Sequence, residues 1–167
     1  MVYKIKLRNH FKSLEFLIYG SFMLAGLVIY LFKYLTFNWE FFLFLIFYYL
    51  ILFIPTIFLH IDYFLQNYKV VFTINTLEKT IRINNQNLVS FDEIESITYF
   101  MPPVWHRKGF IRFLPFEDYH YAQISFKNGE QFVFTSLLEG RVEDALKQIS
   151  DVRIVKKRRL FASTWLS

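Results

Sequence analysis

The stretch Phe41–Leu59, FFLFLIFYYLILFIPTIFL, decides how the first third of the chain must fold. It holds nineteen residues without a charge, bounded by Glu40 on one side and by His60 and Asp62 on the other. As a helix it spans about 28 Å at ~1.5 Å per residue, close to the ~30 Å hydrocarbon thickness of a bilayer. Just upstream, Phe16–Phe32 (FLIYGSFMLAGLVIYLF) is an uncharged run of seventeen residues between Glu15 and Lys33. Both runs are apolar on every face rather than along a stripe, as a lipid-facing or wholly buried helix must be. A chain of 167 residues cannot easily surround two such helices with soluble protein. The first run also exceeds the apolar segment of a cleaved signal peptide, and a second span follows it at once. Together they predict a helical hairpin that stays in a membrane.

Flanking charge orients that hairpin. Residues 1–12 carry Lys4, Lys6, Arg8 and Lys12 with no acidic residue, whereas the turn between the runs holds only Lys33 and Glu40. The positive-inside rule then places both termini in the cytoplasm, at an inner membrane. Tyr34, Phe37 and Trp39 suit the opposite interface. Gly20, Ser21, Ala25 and Gly26 put small residues on the first helix, where they would allow close approach of the second. Pro55 is tolerable within a membrane helix. Neither apolar run contains an ionisable residue, so an ion or proton pathway has no relay.

Composition removes further classes. The 167 residues include 22 Phe, 11 Tyr and 3 Trp, and mean hydropathy is +0.29, which excludes a solvated disordered chain. Without cysteine there is no disulfide framework, thiolate metal site or thiol nucleophile. The net charge of +5 is unevenly spread. Residues 68–151 contain nine basic and eleven acidic residues, so the basic excess lies at the two ends. A nucleic-acid reading would need a basic patch on the folded part, and none is evident. The C-terminal run Lys156, Lys157, Arg158 and Arg159 suits either contact with anionic lipid head groups or a solvated tail. These shifts divide the chain into a basic segment with the hairpin (1–63), a folded cytoplasmic part (64–151) and a basic tail (152–167).

The middle part alternates at period two. Val70, Phe72 and Ile74, then Ile81 and Ile83, predict two half-buried strands joined by a turn near Asn75–Glu78. Another turn at 84–87 leads to a short strand through Val89, and Ile97 and Tyr99 predict a further one ending before Pro102. Ala122, Ile124 and Phe126 alternate, as do Phe132 and Phe134. A two-residue Asn128–Gly129 turn would send these two apolar sets to opposite faces. A three-residue loop, Lys127–Asn128–Gly129, pairs Ile124 with Phe132 and Ala122 with Phe134 on one face, with Gly129 in the left-handed region. Leu138, Val142, Ala145, Leu146 and Ile149 then follow helical spacing, with Ser136 and Glu139 at capping-box spacing. The expected fold class is a membrane helical hairpin plus an α+β unit, a small antiparallel β-barrel or sandwich closed by one C-terminal helix.

The order of parts, and the stretch VSFDEIESI at Val89–Ile97, resemble bacterial pleckstrin-homology-like (PH-like) domains. The resemblance covers about residues 60–150 and, with the hairpin, is similar to small membrane-anchored PH-like proteins of bacteria. It implies that Ile94 and Ile97 pack inward, and it brings no active site. The basic cluster usual in the family's first hairpin is thin here, with Lys69, Lys79 and Arg82.

Motifs of chemistry are scarce. His10, His60, His106 and His120 form no HExxH or HxH spacing, and no glycine-rich phosphate loop or nucleophile elbow is present. His60 and Asp62 read as boundary markers, and Glu117, Asp118 and His120 are a poor metal set, since Glu117 would point away in a strand. No cofactor is expected. The distinctive segment is Met101–Phe116, MPPVWHRKGFIRFLPF, where Trp105, His106, Arg107, Lys108 and Arg112 interleave aromatic and basic groups. A loop of this length in a small domain is usually functional or disordered, and the structural alternative is that its aromatics fill the end of the barrel while its charges are solvated. The reading is a non-enzymatic, membrane-anchored interaction module, with that loop and Lys156–Arg159 meeting anionic head groups, a protein partner or a second copy of the chain. The alternative is a small membrane-bound enzyme or toxin-neutralising factor on the same scaffold.

Overall fold

The computed structural model describes residues 1–34, 38–84, 86, 88–106, 114–149 and 152–165. The chain opens with a strand, β1 (Val2–Lys4), before entering the long helix α1 (Leu7–Tyr34). A second long helix, α2 (Trp39–Asn67), starts at Asn38, whose side-chain oxygen accepts from the Phe41 amide at 3.0 Å. Both helices are long and apolar enough to cross a membrane, and none of the most apolar window of α1 is buried, unlike a core helix. They touch through Ser21, whose Oγ lies 2.5 Å from the Tyr49 hydroxyl and donates to Leu17 O. Gly20 and Gly26 have open space where a Cβ would stand, so neither serves a close helix approach.

The strands that follow are β2 (Val71–Asn75), β3 (Thr80–Ile83), β4 (Val89–Ser90), β5 (Ile94–Met101), β6 (Tyr121–Phe126) and β7 (Gln131–Thr135). A short helix, α3 (Val142–Leu146), and a last strand, β8 (Ile154–Arg158), complete the chain. They form two four-stranded sheets, ordered β1-β2-β3-β4 and β7-β6-β5-β8. The expected hairpin register holds: Ala122 faces Phe134, Ile124 faces Phe132, and Gly129 sits at φ 88°. The alternation puts Phe72, Ile74 and Ile81 of one sheet against Ile97, Ile124 and Phe134 of the other, all buried. Phe72 stacks on Phe132 at 5.1 Å and meets Phe134 edge-on at the same distance.

Three features depart from the sequence reading. Two strands come from outside residues 64–151: β1 pairs antiparallel with β2, and β8 pairs parallel with β5. Basic side chains at those positions had masked the short alternations around Tyr3 and Ile154. The C-terminal helix is only five residues long and starts at Val142, because residues 136–138 form a turn in which the Ser136 amide still donates to His120 O at 2.9 Å. The Ser136–Glu139 capping box therefore does not form, although Leu138, Val142, Ala145, Leu146 and Ile149 all enter the core. Finally, α2 continues two turns past Leu59 and buries Thr56, Leu59, Asp62, Tyr63 and Asn67 against the domain.

Two substitutions test this architecture in the full chain. Gly129→Val should destabilise the protein by about 1 kcal/mol or more, since a β-branched residue at positive φ is strained even with open space around it. Tyr3→Ala should cost about 3 kcal/mol, because Tyr3 packs edge-on to Phe134 at 5.5 Å and its hydroxyl accepts from Gln148 Nε2 at 3.1 Å. Denaturant unfolding of solubilised protein measures both, and an unchanged midpoint for Tyr3→Ala would detach β1 from the core.

Candidate functional site on the face packed against α2

The sheet β7-β6-β5-β8 is buried on both faces at the end nearest α2. Ile97, Tyr99, Ala122 and Ile124 point to the inter-sheet core, whereas Phe100 and Tyr121 point the other way, toward Leu59 and Tyr63 of α2. The period-two pleat makes this unavoidable once α2 lies on the second face. Phe100 stacks on Tyr121 at 4.8 Å, and Tyr63 meets Tyr119 and Tyr121 edge-on at 5.4 and 6.0 Å.

Polar groups at the foot of the hairpin are tied into that packing. Asn67 closes α2 by donating to Val133 O at 2.8 Å and accepting from the Thr135 amide and hydroxyl at 3.1 and 2.5 Å. It thereby covers the outer edge of β7, which would otherwise present unpaired groups. His60 and Asp62, read as boundary markers, are both engaged. His60 Nε2 lies 2.9 Å from His10 Nδ1, and His60 Nδ1 lies 2.9 Å from the Tyr119 hydroxyl, which reaches Ser13 O at 3.4 Å. One arrangement of neutral rings satisfies every contact: His10 donates to His60, His60 to Tyr119, and Tyr119 to the α1 backbone. Burial pushes the Tyr119 hydroxyl well up, with Asp118 adding to the shift, so it stays protonated and able to donate. Asp62 is fully buried and accepts from Ser163 Oγ at 2.9 Å, from the Thr164 amide at 2.7 Å and from the Thr164 hydroxyl. It holds the segment after β8 against α2, where Phe58 stacks on Phe161 and meets Trp165 edge-on at 5.1 Å.

The expected contact residues are distributed as follows. Trp105 and His106 lie in a short 3-10 segment, Pro103–His106, directly after β5. Arg107, Lys108 and Arg112 lie outside the described residues. Lys156, Lys157 and Arg158 belong to β8, so this part of the basic run is a sheet strand rather than a free tail. Its pleat splits them: Lys156 pairs with Glu143 of α3 at 2.7 Å, while Lys157 Nζ and the Arg159 guanidinium lie over the Phe100 ring at 5.7 and 4.6 Å. Arg158 is exposed. Glu117 accepts from the Leu114 amide at 3.1 Å, and His120 Nδ1 lies 3.0 Å from the Tyr99 hydroxyl. Among the described residues no group of three or more His, Cys, Asp or Glu is placed to hold a metal ion.

Burial pushes the Glu143 carboxyl up, but hydrogen bonds from Lys156 and Lys147 outweigh it and leave the group below its usual range. A lowered folded-state value means that the stabilisation is complete above the ordinary carboxylate pKa of about 4.3. It is lost as pH falls through the folded-state value. Glu143→Gln should therefore destabilise by up to about 1 kcal/mol near neutral pH and much less in acid. Thermal unfolding as a function of pH checks this; an equal effect at both extremes would exclude the ion pair as the cause.

A family model for the PH domain matches residues 2–142, from β1 through both apolar helices to the start of α3. No curated protein and no solved structure matches the chain significantly. Two facing sheets, a helix after the seventh strand and a family match over most of the length agree on one assignment. The chain belongs to the PH domain family.

Proposed function

We propose that this protein is a membrane-anchored, non-enzymatic binding module whose PH domain works at the inner leaflet. One observation carries the reading: α1 and α2 leave and rejoin the domain between the paired strands β1 and β2. A hairpin inserted there holds one face of the domain against the bilayer, because neither helix is joined to it by a long linker. The basic residues before α1 and the scarcity of charge in the connecting turn support cytoplasmic termini. PH domains are generally binding modules, and no enzyme family matches, which supports the non-catalytic reading over an enzyme or toxin-neutralising factor.

Lipid head groups are the favoured ligand, since the anchored face carries cations near the membrane surface. Lys157 and Arg159 lie over the Phe100 ring beside the packing of α2 on the second sheet, and in the sequence Trp105, His106, Arg107, Lys108 and Arg112 follow the neighbouring strand β5. Each exposed cation near an anionic surface is worth about 1 kcal/mol, so this set favours a negatively charged leaflet. Reporter fusions after residues 36 and 167 test the orientation. An export-dependent reporter should be active only after residue 36. Activity after residue 167 would place the PH domain on the far side and overturn the inner-leaflet reading.

A further inference from the structure

The last strand, β8, lies outside residues 2–142, so the family assignment does not account for it. It forms one edge of the sheet β7-β6-β5-β8, and the two edges of that sheet are treated differently. At β7 the foot of α2 closes the edge, with Asn67 bonded to Val133 O and to the Thr135 amide. The edge at β8 has no such cover among the described residues. The Arg159 amide donates to Met101 O at 3.0 Å, so in this parallel register the odd-numbered residues bond to β5. Ile154, Lys156 and Arg158 therefore turn their N–H and C=O groups outward. None of those groups has a hydrogen-bond partner among the described residues. The side chains from Val155 to Arg158 are exposed as well.

Charge selects what can pair with this edge. Lys156 is held by Glu143 of α3 at 2.7 Å. Lys157 and Arg158 have no carboxylate within ion-pair distance among the described residues, and the pleat places them on opposite faces of the strand. A second copy of β8 laid against the first would set these cations against their own kind, which is destabilising. Charged edges are a common guard against such self-pairing. An acidic strand meets the same side chains with attraction. Lipid head groups meet the charges too, but they carry no row of N–H and C=O groups to continue a sheet.

We propose that the outer edge of β8 is a docking site for an extended acidic segment of a partner protein, which adds to the sheet as a further strand. Main-chain hydrogen bonds to Ile154, Lys156 and Arg158 supply the attachment, and carboxylates on both faces of the added strand meet Lys157 and Arg158. At ~3.3 Å per residue, the five residues of β8 take a partner stretch about 17 Å long. The chain after β8 is tied to α2 through Asp62, which accepts from Ser163 Oγ at 2.9 Å and from the Thr164 amide at 2.7 Å. The strand is thereby fixed at both its β5 side and its C-terminal end, as a template must be. The inference goes beyond the lipid reading above, because it rests on backbone groups that a charged leaflet does not use, and it holds for either orientation of the hairpin.

The full chain in a non-ionic detergent tests this, with a fluorescent nine-residue peptide of Val-Glu-Glu repeats as probe. Its fully N-methylated form, which keeps the charge but offers no N–H, is the control. Anisotropy should report binding of the probe, at least about tenfold weaker binding of the methylated form, and none of a Val-Lys-Lys peptide. Amide exchange followed by NMR should slow at Ile154, Lys156 and Arg158 when the probe is added. It should stay unchanged at Val155 and Lys157, whose N–H groups already bond to β5. Lys157→Ala combined with Arg158→Ala should weaken binding several-fold. Arg158→Pro, which removes one outward N–H and no bond to β5, should weaken it beyond Arg158→Ala. Equal binding of the methylated and unmethylated peptides would overturn the edge site and leave only charge attraction. Unchanged exchange at the three outward amides in the bound state would do the same, and equal binding of the lysine peptide would overturn the acidic partner. A protein that binds phosphatidylglycerol vesicles but not the probe would also overturn the site, while leaving the anchored-module reading intact.

Discussion

The structure depends on one pairing, that of β1 with β2 across everything in between. Val2, Tyr3 and Lys4 face Thr73, Phe72 and Val71, while residues 5–70 make the whole excursion through both long helices. Adjacent strands lie about 4.8 Å apart, so the two ends of the hairpin are brought together by the sheet itself. Only Ile5 and Lys6 separate β1 from α1, and only Tyr68, Lys69 and Val70 separate α2 from β2. Linkers this short leave little freedom between hairpin and domain. The helical hairpin is consequently packed close to the domain, and the core residue Tyr3 precedes the hairpin in the chain while the other buried members of its cluster follow it.

The second sheet then acts as the middle layer of a three-layer stack. The inter-sheet core covers one of its faces, and the foot of α2 with the segment after β8 covers one end of the other. Such double coverage is usual for parallel sheets and less so for antiparallel ones. Here it follows from the tyrosines. Tyr63, Tyr119 and Tyr121 supply large apolar bodies for this second core, and their hydroxyls reach Ala162 O, His60 and Ser163 O. Each ring fills space while its polar end satisfies a group that burial would otherwise strand. The same layer ties both helices and the C-terminal segment to the domain through polar groups. His60 connects α1 to the domain, Asp62 holds the C-terminal segment, and Asn67 covers the edge of β7.

The candidate site was partly legible beforehand and partly not. Lys156, Lys157, Arg158 and Arg159 were visible as a basic run, but their division between an acidic partner and an aromatic face depends on the pleat of β8 and on its neighbours. Ser136 read as a helix cap, because its spacing to Glu139 mimics a capping box; only the bond from its amide to His120 O and its unpartnered hydroxyl show otherwise. His60 and Asp62 were assigned by their place at the end of an apolar run, which says nothing of what packs beside them.

What the amino-acid sequence determines by itself is whatever depends on period and length. The two uncharged runs are long enough to span a bilayer and apolar on all sides, so they form long helices with the length and composition of membrane spans wherever the rest of the chain goes. The alternation of Ala122, Ile124, Phe132 and Phe134 excludes a two-residue turn, since shifting the register by one would turn one apolar set outward, and the three-residue loop keeps both sets on one face. Gly129 meets the backbone demand of that loop. What only the tertiary structure decides is which distant segments share a surface. Three residues of β1 are too few to show a period, and β8 carries charges at most of its positions, so neither announces itself as a strand. Their places are set by unpaired strand edges and by the aromatic rings of β2 and β5. The continuation of α2 into the domain is decided likewise, because a helix face with polar residues becomes an interior face only when another element supplies their partners.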